Sequence, residues 1–367
     1  MKIMTVHGQD TKPIYDIVFS KDYEVLSGIL RSRSLIFEGR RVCIVSETNV
    51  APLYEKEIVN IFSACGASVT SFIFKAGEEN KNLNVVRQLY EHLILSKFDR
   101  KDLLVALGGG VVGDLTGFCA ATYLRGIDFI QLPTSLLSQV DSSIGGKTGV
   151  DFDAYKNMVG AFHQPRLVYI NLGALKTLKE EEYLSGMGEI IKHGLIKDEA
   201  YYEWLKTVSA QIISRDLDIL EPMVYKSCDI KRQVVENDPK EQGERALLNF
   251  GHTLGHAVEK LSDFKLLHGE CVSIGACAAA YISAKRGLIS DETCKDILNT
   301  FKLYKLPVSL RDTEVSLRAE AILSATKLDK KMESGHIKFI LLNPCGHAII
   351  DKTVSDKEIL SAADFIL

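Results

Sequence analysis

Short apolar runs alternate with amphipathic segments along the first half of the chain. Residues 41–47 (RVCIVSE), 67–74 (ASVTSFIF), 102–110 (DLLVALGGG), 126–133 (GIDFIQLP) and 166–172 (RLVYINL) are compact and apolar, the pattern of strands buried on both faces. Between them, 53–65 and 83–95 repeat apolar residues at helical intervals, which predicts helices with one face on a core. Strand–helix alternation predicts a parallel sheet covered by helices. This α/β region is placed at residues 1–175.

From there the pattern changes. Residues 180–196, 201–209, 217–236, 253–261, 270–286, 291–301 and 318–325 all carry helical periodicity. Only 337–342 (IKFILL) and 347–351 (HAIID) resemble strands, so 176–367 is expected to form a mostly helical second domain. The stretch 237–245 (NDPKEQGER) reads as a polar loop between two helices. An α/β domain followed by a helical one leaves a cleft, the usual place for a ligand. The site is therefore expected to combine loops of the sheet with helices of the second half.

Composition narrows the function classes. With 46% hydrophobic residues, 25% charged residues and a formal charge of −4, the chain reads as a soluble globular protein. It lacks the basic excess of a dedicated nucleic-acid binder. No apolar run approaches the ~18 residues of a membrane span, and the first twenty residues do not read as a signal peptide. Eight scattered cysteines without a C-x-x-C pair fit a reducing cytoplasm better than an oxidising compartment, and sulfur ligation of a metal is not expected.

Four stretches carry candidate chemistry. Gly108-Gly109-Gly110-Val111-Val112-Gly113 is formally G-x-G-x-x-G between a strand and a helix. Such glycines let backbone N–H groups approach a pyrophosphate at a helix N-terminus; a tight turn without a ligand is the alternative. Here the loop follows the third of the strands read above, and the acidic residue about twenty positions on is Asp128. A second loop, GEENK (Gly77–Lys81), can serve the other end of a dinucleotide or simply cap a helix. Then PTSLLSQVDSSIGGKTGVDF (Pro133–Phe152) reads as a long polar loop in which Lys147 supplies a charge for a phosphate or carboxylate. Downstream, YKNMVGAFHQP adds Lys156 and Asn157.

The last stretch is LNFGHTLGHAVE (Leu248–Glu259). His252 and His256, four apart, project from one helix face. The residue after the first histidine is Thr253, so the H-E-x-x-H protease arrangement is absent. A catalytic zinc needs three protein ligands, and His268 and Glu189 are the nearest further candidates by type, each with glycine beside it. The residues alone do not select which three of these four bind.

Taken together, GGGVVGD, LPTSLLSQVDSSIGGKTGVD, GMGEIIKHG, LLNFGHTLGHA, LLHGE and LDKKMESGHIKFILL resemble the 3-dehydroquinate synthase family, in order and spacing, from about residue 41 to the C-terminus. The resemblance implies an N-terminal Rossmann-like α/β domain and a mostly α-helical C-terminal domain. It implies conversion of 3-deoxy-D-arabino-heptulosonate 7-phosphate to 3-dehydroquinate and phosphate in the shikimate route, by a cytoplasmic homodimer using NAD+ and a divalent metal, zinc or else cobalt. Carried over by position, Glu189, His252 and His268 are the implied metal ligands, with His256 in proton transfer. The implied substrate pocket comprises Asp141, Lys147, Asn157, Lys192, Lys231, Arg245, Asn249 and one of Lys330 and Lys331, with Arg125 reaching over from the dimer partner. Implied NAD+ contacts are Asn49, Glu78, Lys81, Gly109, Gly110, Val111, Asp114, Thr134, Ser135, Lys147, Lys156 and Thr177. Gly188 stands where the family more often has alanine. Sister sugar-phosphate cyclases share the fold, NAD+ and metal set but take substrates without a carboxylate; Lys147, Arg245 and the DSSIGGKT loop favour the carboxylate substrate. A metal-dependent polyol dehydrogenase is the other alternative, though it gives a basic pocket no purpose.

Overall fold

The computed structural model of the chain describes residues 1–153, 155–328, 332–333 and 336–367. They form two compact units, Met1–Leu178 and Lys179–Leu367.

In the first unit the strands are β1 (Lys2–His7), β2 (Pro13–Ser20), β3 (Arg41–Glu47), β4 (Ser68–Phe74), β5 (Leu103–Gly108), β6 (Asp128–Pro133), β7 (Lys147–Phe152), β8 (Tyr155–Phe162) and β9 (Leu167–Asn171). Helices α1 (Leu26–Ser32), α2 (Ala51–Ala64), α3 (Leu83–Leu95) and α4 (Gly110–Thr122) connect them. Seven strands form one sheet in the order β1-β2-β9-β6-β5-β3-β4, antiparallel only at β1–β2. The central strands are apolar throughout because both faces are covered. Val42 and Ile44 join Leu103 and Val105 against Ile58 and Phe62 of α2. Cys43 and Val45 join Leu104 and Ala106 against Val86 and Leu89 of α3 and Leu115 of α4.

Two features differ from the sequence expectation. The sheet begins forty residues earlier than the apolar runs suggested, with the β1–β2 hairpin; β1 is an edge strand that buries Met4 and Val6 but exposes Ile3, so its pattern is diluted by solvent-facing residues. The polar stretch after Pro133 is not one loop. It holds a π-helical turn, Ser138–Ser142, and then the β7–β8 hairpin, whose outer strand is mostly exposed.

Helices dominate the second unit: α5 (Glu180–Lys197), α6 (Glu199–Thr207), α7 (Ser209–Ile213), α8 (Leu217–Asn237), α9 (His252–Leu261), α10 (His268–Lys285), α11 (Asp291–Leu303), α12 (Ala319–Leu328) and α13 (Asp356–Ile366). Short strands β10 (Met332–Glu333) and β11 (His336–Ile337) pair, as do β12 (Phe339–Leu342) and β13 (Ala348–Asp351). The loop read at 237–245 ends in a 3-10 turn, Glu244–Asn249.

Glycine governs how closely α5, α9 and α10 pack. A methyl group on Gly269 would sit 1.7 Å from the Ser185 carbonyl oxygen, and one on Gly275 would sit 1.9 Å from that of Gly251. On Gly188 it would lie 2.6 Å from the Gly269 carbonyl oxygen. These three helices can touch backbone to backbone only because the side chains are missing.

Candidate functional site

Each of three helices in the second unit presents one donor beside one of these glycines. Glu189 lies in the interior of α5, His252 opens α9 and His268 opens α10. Oε1 of Glu189 stands 3.5 Å from Nε2 of His252 and 3.4 Å from Nε2 of His268. Ligands about 2.0–2.1 Å from one ion in a tetrahedral site stand about 3.3–3.4 Å apart. Spacing and donor chemistry thus fit a divalent ion of the zinc or cobalt type. Nδ1–H of His252 donates to the carbonyl of Phe250 at 3.1 Å; since a carbonyl only accepts, the lone pair is left on Nε2, on the side of Glu189.

His256 is placed differently. Its ring meets that of His252 edge to face, centroids 4.9 Å apart, and its donor groups with Glu259 and His268 rather than with Glu189. Burial works against a charged His268, yet the hydrogen bonds and charges of Glu189 and Glu259 outweigh it and raise its pKa to about 9. A cation competes with that proton for the same nitrogen.

Glu189 is fully buried and ion-paired through Oε2 with Lys192, one turn along α5. Lys231 of α8 and Arg245 of the 3-10 turn are also buried; Arg245 donates from Nη1 to the Pro239 carbonyl at 2.8 Å. Asn249 donates to Glu241 at 3.0 Å. Interior cations are costly unless anions meet them; for Lys192 that anion is Glu189. Lys330 and Lys331 lie outside the described residues.

The first unit gathers a second group at the carboxyl ends of its strands. From β3 the chain moves outward to β4; from β5 it moves the opposite way to β6. Ligands of open parallel sheets bind at such a reversal, and the glycine loop sits there. Gly109 caps α4 and Gly110 begins it. A methyl group on Gly109 would come 3.5 Å from Ser135 Oγ, and on Gly110 3.2 Å from Ser142 Oγ. The bare backbone therefore keeps open a space with helix N–H groups at its edge, which fits a dinucleotide phosphate. Val111 follows in the first turn of α4.

Beside it, Lys81 is buried and bonds Asp114 Oδ2 and Asn157 Oδ1, both at 2.7 Å, with Glu78 Oε1 at 3.7 Å. Burial opposes the charge on Lys81, but Asp114 and Glu78 outweigh it and raise its pKa. Burial pushes the Asp114 carboxyl up, with Lys81 pulling against it. Asn157 holds a left-handed backbone, φ 53°, and donates its N–H to Asp151 at 2.7 Å.

The remaining expected contacts are more scattered. Thr134 is buried after β6, Ser135 bonds Ser138, and Thr177 bonds the Tyr54 hydroxyl. Asp141 lies in the π-helical turn, half-buried. Lys156 is half-buried on β8, while Asn49, Lys147 and Arg125 are exposed. The spacing of Asp128 is coincidental: it begins β6, at the end of the sheet away from the glycine loop, and pairs with Arg40 at 3.0 Å. It cannot serve a ribose bound at the strand ends.

A family model described as 3-dehydroquinate synthase N-terminal matches residues 71–185, and one described as 3-dehydroquinate synthase C-terminal matches 186–332. The chain belongs to the 3-dehydroquinate synthase family. The 3-dehydroquinate synthase of Acetivibrio thermocellus is 43% identical over 357 residues, 97% of each chain, and that of Ruminiclostridium cellulolyticum 40% over 346 residues, 94% of each. Among solved structures, a 2-epi-5-epi-valiolone synthase from Streptomyces hygroscopicus with NAD+ and Zn2+ bound superposes with a TM-score of 0.87 at 25% identity, over 96% of both chains. A 2-deoxy-scyllo-inosose synthase complexed with carbaglucose-6-phosphate, NAD+ and Co2+ gives 0.86 at 25% identity over the full length of both. The expected α/β sheet and helical region are thus the architecture of this family.

One residue of the family site region escaped the sequence reading. Glu259 lies beside His268 Nδ1 at 3.7 Å. Its signal was the spacing H-x3-H-x2-E within the motif already singled out, which puts all three residues on one face of α9.

Proposed function

We propose that the chain converts 3-deoxy-D-arabino-heptulosonate 7-phosphate to 3-dehydroquinate and phosphate, with NAD+ and a divalent ion, as a cytoplasmic homodimer of the shikimate route. The observation that carries this reading is the Glu189–His252–His268 donor set, spaced for one ion, in a unit that also buries Lys192, Lys231 and Arg245. Family membership favours the carboxylate-bearing substrate over those of the sister cyclases.

Glu189, His252 and His268 would hold the ion, with Lys192 ion-paired to Glu189. The bound groups together supply hydride transfer to and from the dinucleotide and Lewis-acid polarisation of the hydroxyl being oxidised. Lys147, Lys231 and Arg245, with one of Lys330 and Lys331, bind the carboxylate and phosphate through charge-assisted bonds. Asp141, Asn157 and Asn249 orient hydroxyl groups. His256 holds and moves a proton at a ring nitrogen around phosphate loss. N–H groups of Gly109, Gly110 and Val111 receive the pyrophosphate, and Lys81, Asp114 and Glu78 form the polar wall beside it. Asn49, Thr134, Ser135, Lys156 and Thr177 complete the dinucleotide contacts. Arg125, exposed and left-handed at φ 68°, is assigned to the phosphate in the site of a second copy.

The test is direct. Purified protein with the heptulosonate phosphate, catalytic NAD+ and zinc is expected to release phosphate and dehydroquinate in equal amounts, with no net NADH. Preferred turnover of sedoheptulose 7-phosphate or glucose 6-phosphate overturns the substrate assignment in favour of a sister cyclase. Net NADH from a simple polyol overturns it in favour of a dehydrogenase.

A further inference from the structure

We propose that Glu259 is a positioning residue of the metal centre: it holds Nδ1–H of His268 and so presents Nε2 to the ion. The inference rests on the metal reading above and assigns a residue that this reading does not use.

Glu259 is 6% exposed on α9 and follows directly on Ala257 and Val258, which belong to the apolar core of the helical unit. A carboxylate there is costly unless a partner meets it. Its Oε1 lies 3.7 Å from Nδ1 of His268, while the other nitrogen of the same ring lies 3.4 Å from Glu189 Oε1. One imidazole therefore stands between two carboxylates, and the two cannot serve one ion, since they face opposite edges of the ring. An imidazole that binds through Nε2 is neutral and keeps its proton on Nδ1. A carboxylate on that proton selects the tautomer, stops rotation of the ring and makes Nε2 a stronger donor. At 3.7 Å the two groups form an ion-pair contact in this structure, and the proposal assigns the closer Nδ1–H bond to the chain with its ion bound.

His252 meets the same requirement with a weaker acceptor, the Phe250 carbonyl. That histidine is held by its own backbone segment, at the start of α9. His268 opens a different helix, and its support reaches across from α9. His252, His256 and Glu259 follow at i, i+4 and i+7, so one stripe of α9 carries a ligand, its neighbour and the support of a ligand on α10.

The rival use of the same residues is a second ion on His256, Glu259 and His268, whose donors all lie within 4.8 Å of one another. It requires His268 to give up its last proton and bridge two ions, which a neutral imidazole resists.

The experiment is a cobalt titration against a competing chelator, with visible spectra, on the wild-type chain and on Glu259→Gln and Glu259→Ala. Gln keeps the volume of the side chain and removes its charge, so a failure of the Ala variant to fold leaves the test intact. Glu259→Gln is expected to weaken cobalt affinity by about 10–100-fold and to shift the ligand-field bands. Equal affinity and spectrum in the two proteins overturn the proposal. So do two ions per wild-type chain with one lost in Glu259→Gln, which establishes the second site instead. A wild-type chain that takes up no cobalt overturns the metal reading itself, a result distinct from the other two.

Discussion

Glycine does opposite things at the end of β5 and between the helices α5, α9 and α10. At the end of β5, Gly109 and Gly110 keep a space open: an added methyl group would meet only serine hydroxyls, at 3.5 and 3.2 Å. In the helical unit, Gly269 and Gly275 close a space, since a methyl group there would lie 1.7 and 1.9 Å from backbone carbonyl oxygens. The first arrangement lends backbone to a ligand and leaves the sheet indifferent to it. The second draws α5, α9 and α10 together until Glu189, His252 and His268 meet. At Gly109 and Gly110, then, fold and site are separable, although Gly108 and Gly113 of the same loop pack closely against Val112 and Gln131; between α5, α9 and α10 the packing is the site.

The largest expected effect breaks that second arrangement. Gly269→Ala should destabilise the helical unit by roughly 3 kcal/mol or more through overpacking against Ser185, seen by denaturant unfolding. A variant that unfolds like its parent would show that close packing is not what assembles the donors. Next comes His268→Ala, which removes a donor without touching the helix contact. Turnover should fall about 10³-fold, and bound zinc should be lost while circular dichroism is kept. Unchanged turnover would refute the ligand assignment.

Gly110→Ala tests the first unit. Its fold should survive, and NAD+ affinity measured by calorimetry should fall about tenfold, roughly 1.4 kcal/mol; equal affinity would remove the glycine loop from the site. A smaller effect is electrostatic. Arg286 holds Glu358 in a bidentate pair at 2.6 and 2.9 Å and also bonds Asp351. Its hydrogen bond is the main cause that lowers the Glu358 pKa from 4.5 to about 2. A carboxylate depressed in the folded state contributes stability above its unfolded value and loses it as pH falls from 4.5 towards 2. Arg286→Met should lower the neutral-pH melting temperature by about 2 °C and lose less further stability across that acid window. An unchanged pH profile would contradict the pairing. Least of all, Gly28→Ala, exposed within α1 with nothing near its added methyl group, should stabilise the α/β unit by about 0.5–1 kcal/mol. A loss of stability there would show a constraint that the open surroundings of Gly28 do not reveal.

Legibility followed the range of the interactions. The strands β3, β5, β6 and β9 were visible because central strands of a parallel sheet are apolar on both faces. β1 was not, because its buried Met4 and Val6 alternate with more exposed residues; β4 was legible as a strand, but it is the opposite sheet edge with only Phe74 buried, not covered on both faces as its apolar run suggested. The hairpin β7–β8 was hidden for a similar reason: its outer strand exposes Tyr155, Met158 and Phe162, and its polar flank reads as loop. The proximity of Lys81 to Asp114 and Asn157 was out of reach, because the three come from separate connections of the sheet. Asp128 shows the converse, where a spacing rule coincides with a residue at the far end of a strand that pairs with Arg40.

What the amino-acid order alone determined is local: which segments are strands or helices, which loop is bare of side chains, and that His252, His256 and Glu259 share one helical stripe. Those follow from period and rotamer geometry over a few residues. The tertiary structure decided the rest: that His252 rather than His256 stands with Glu189 and His268, and that Glu259 backs the far edge of the His268 ring. Such choices depend on how three helices approach across distant parts of the chain, and steric contact between backbones, not periodicity, sets that distance.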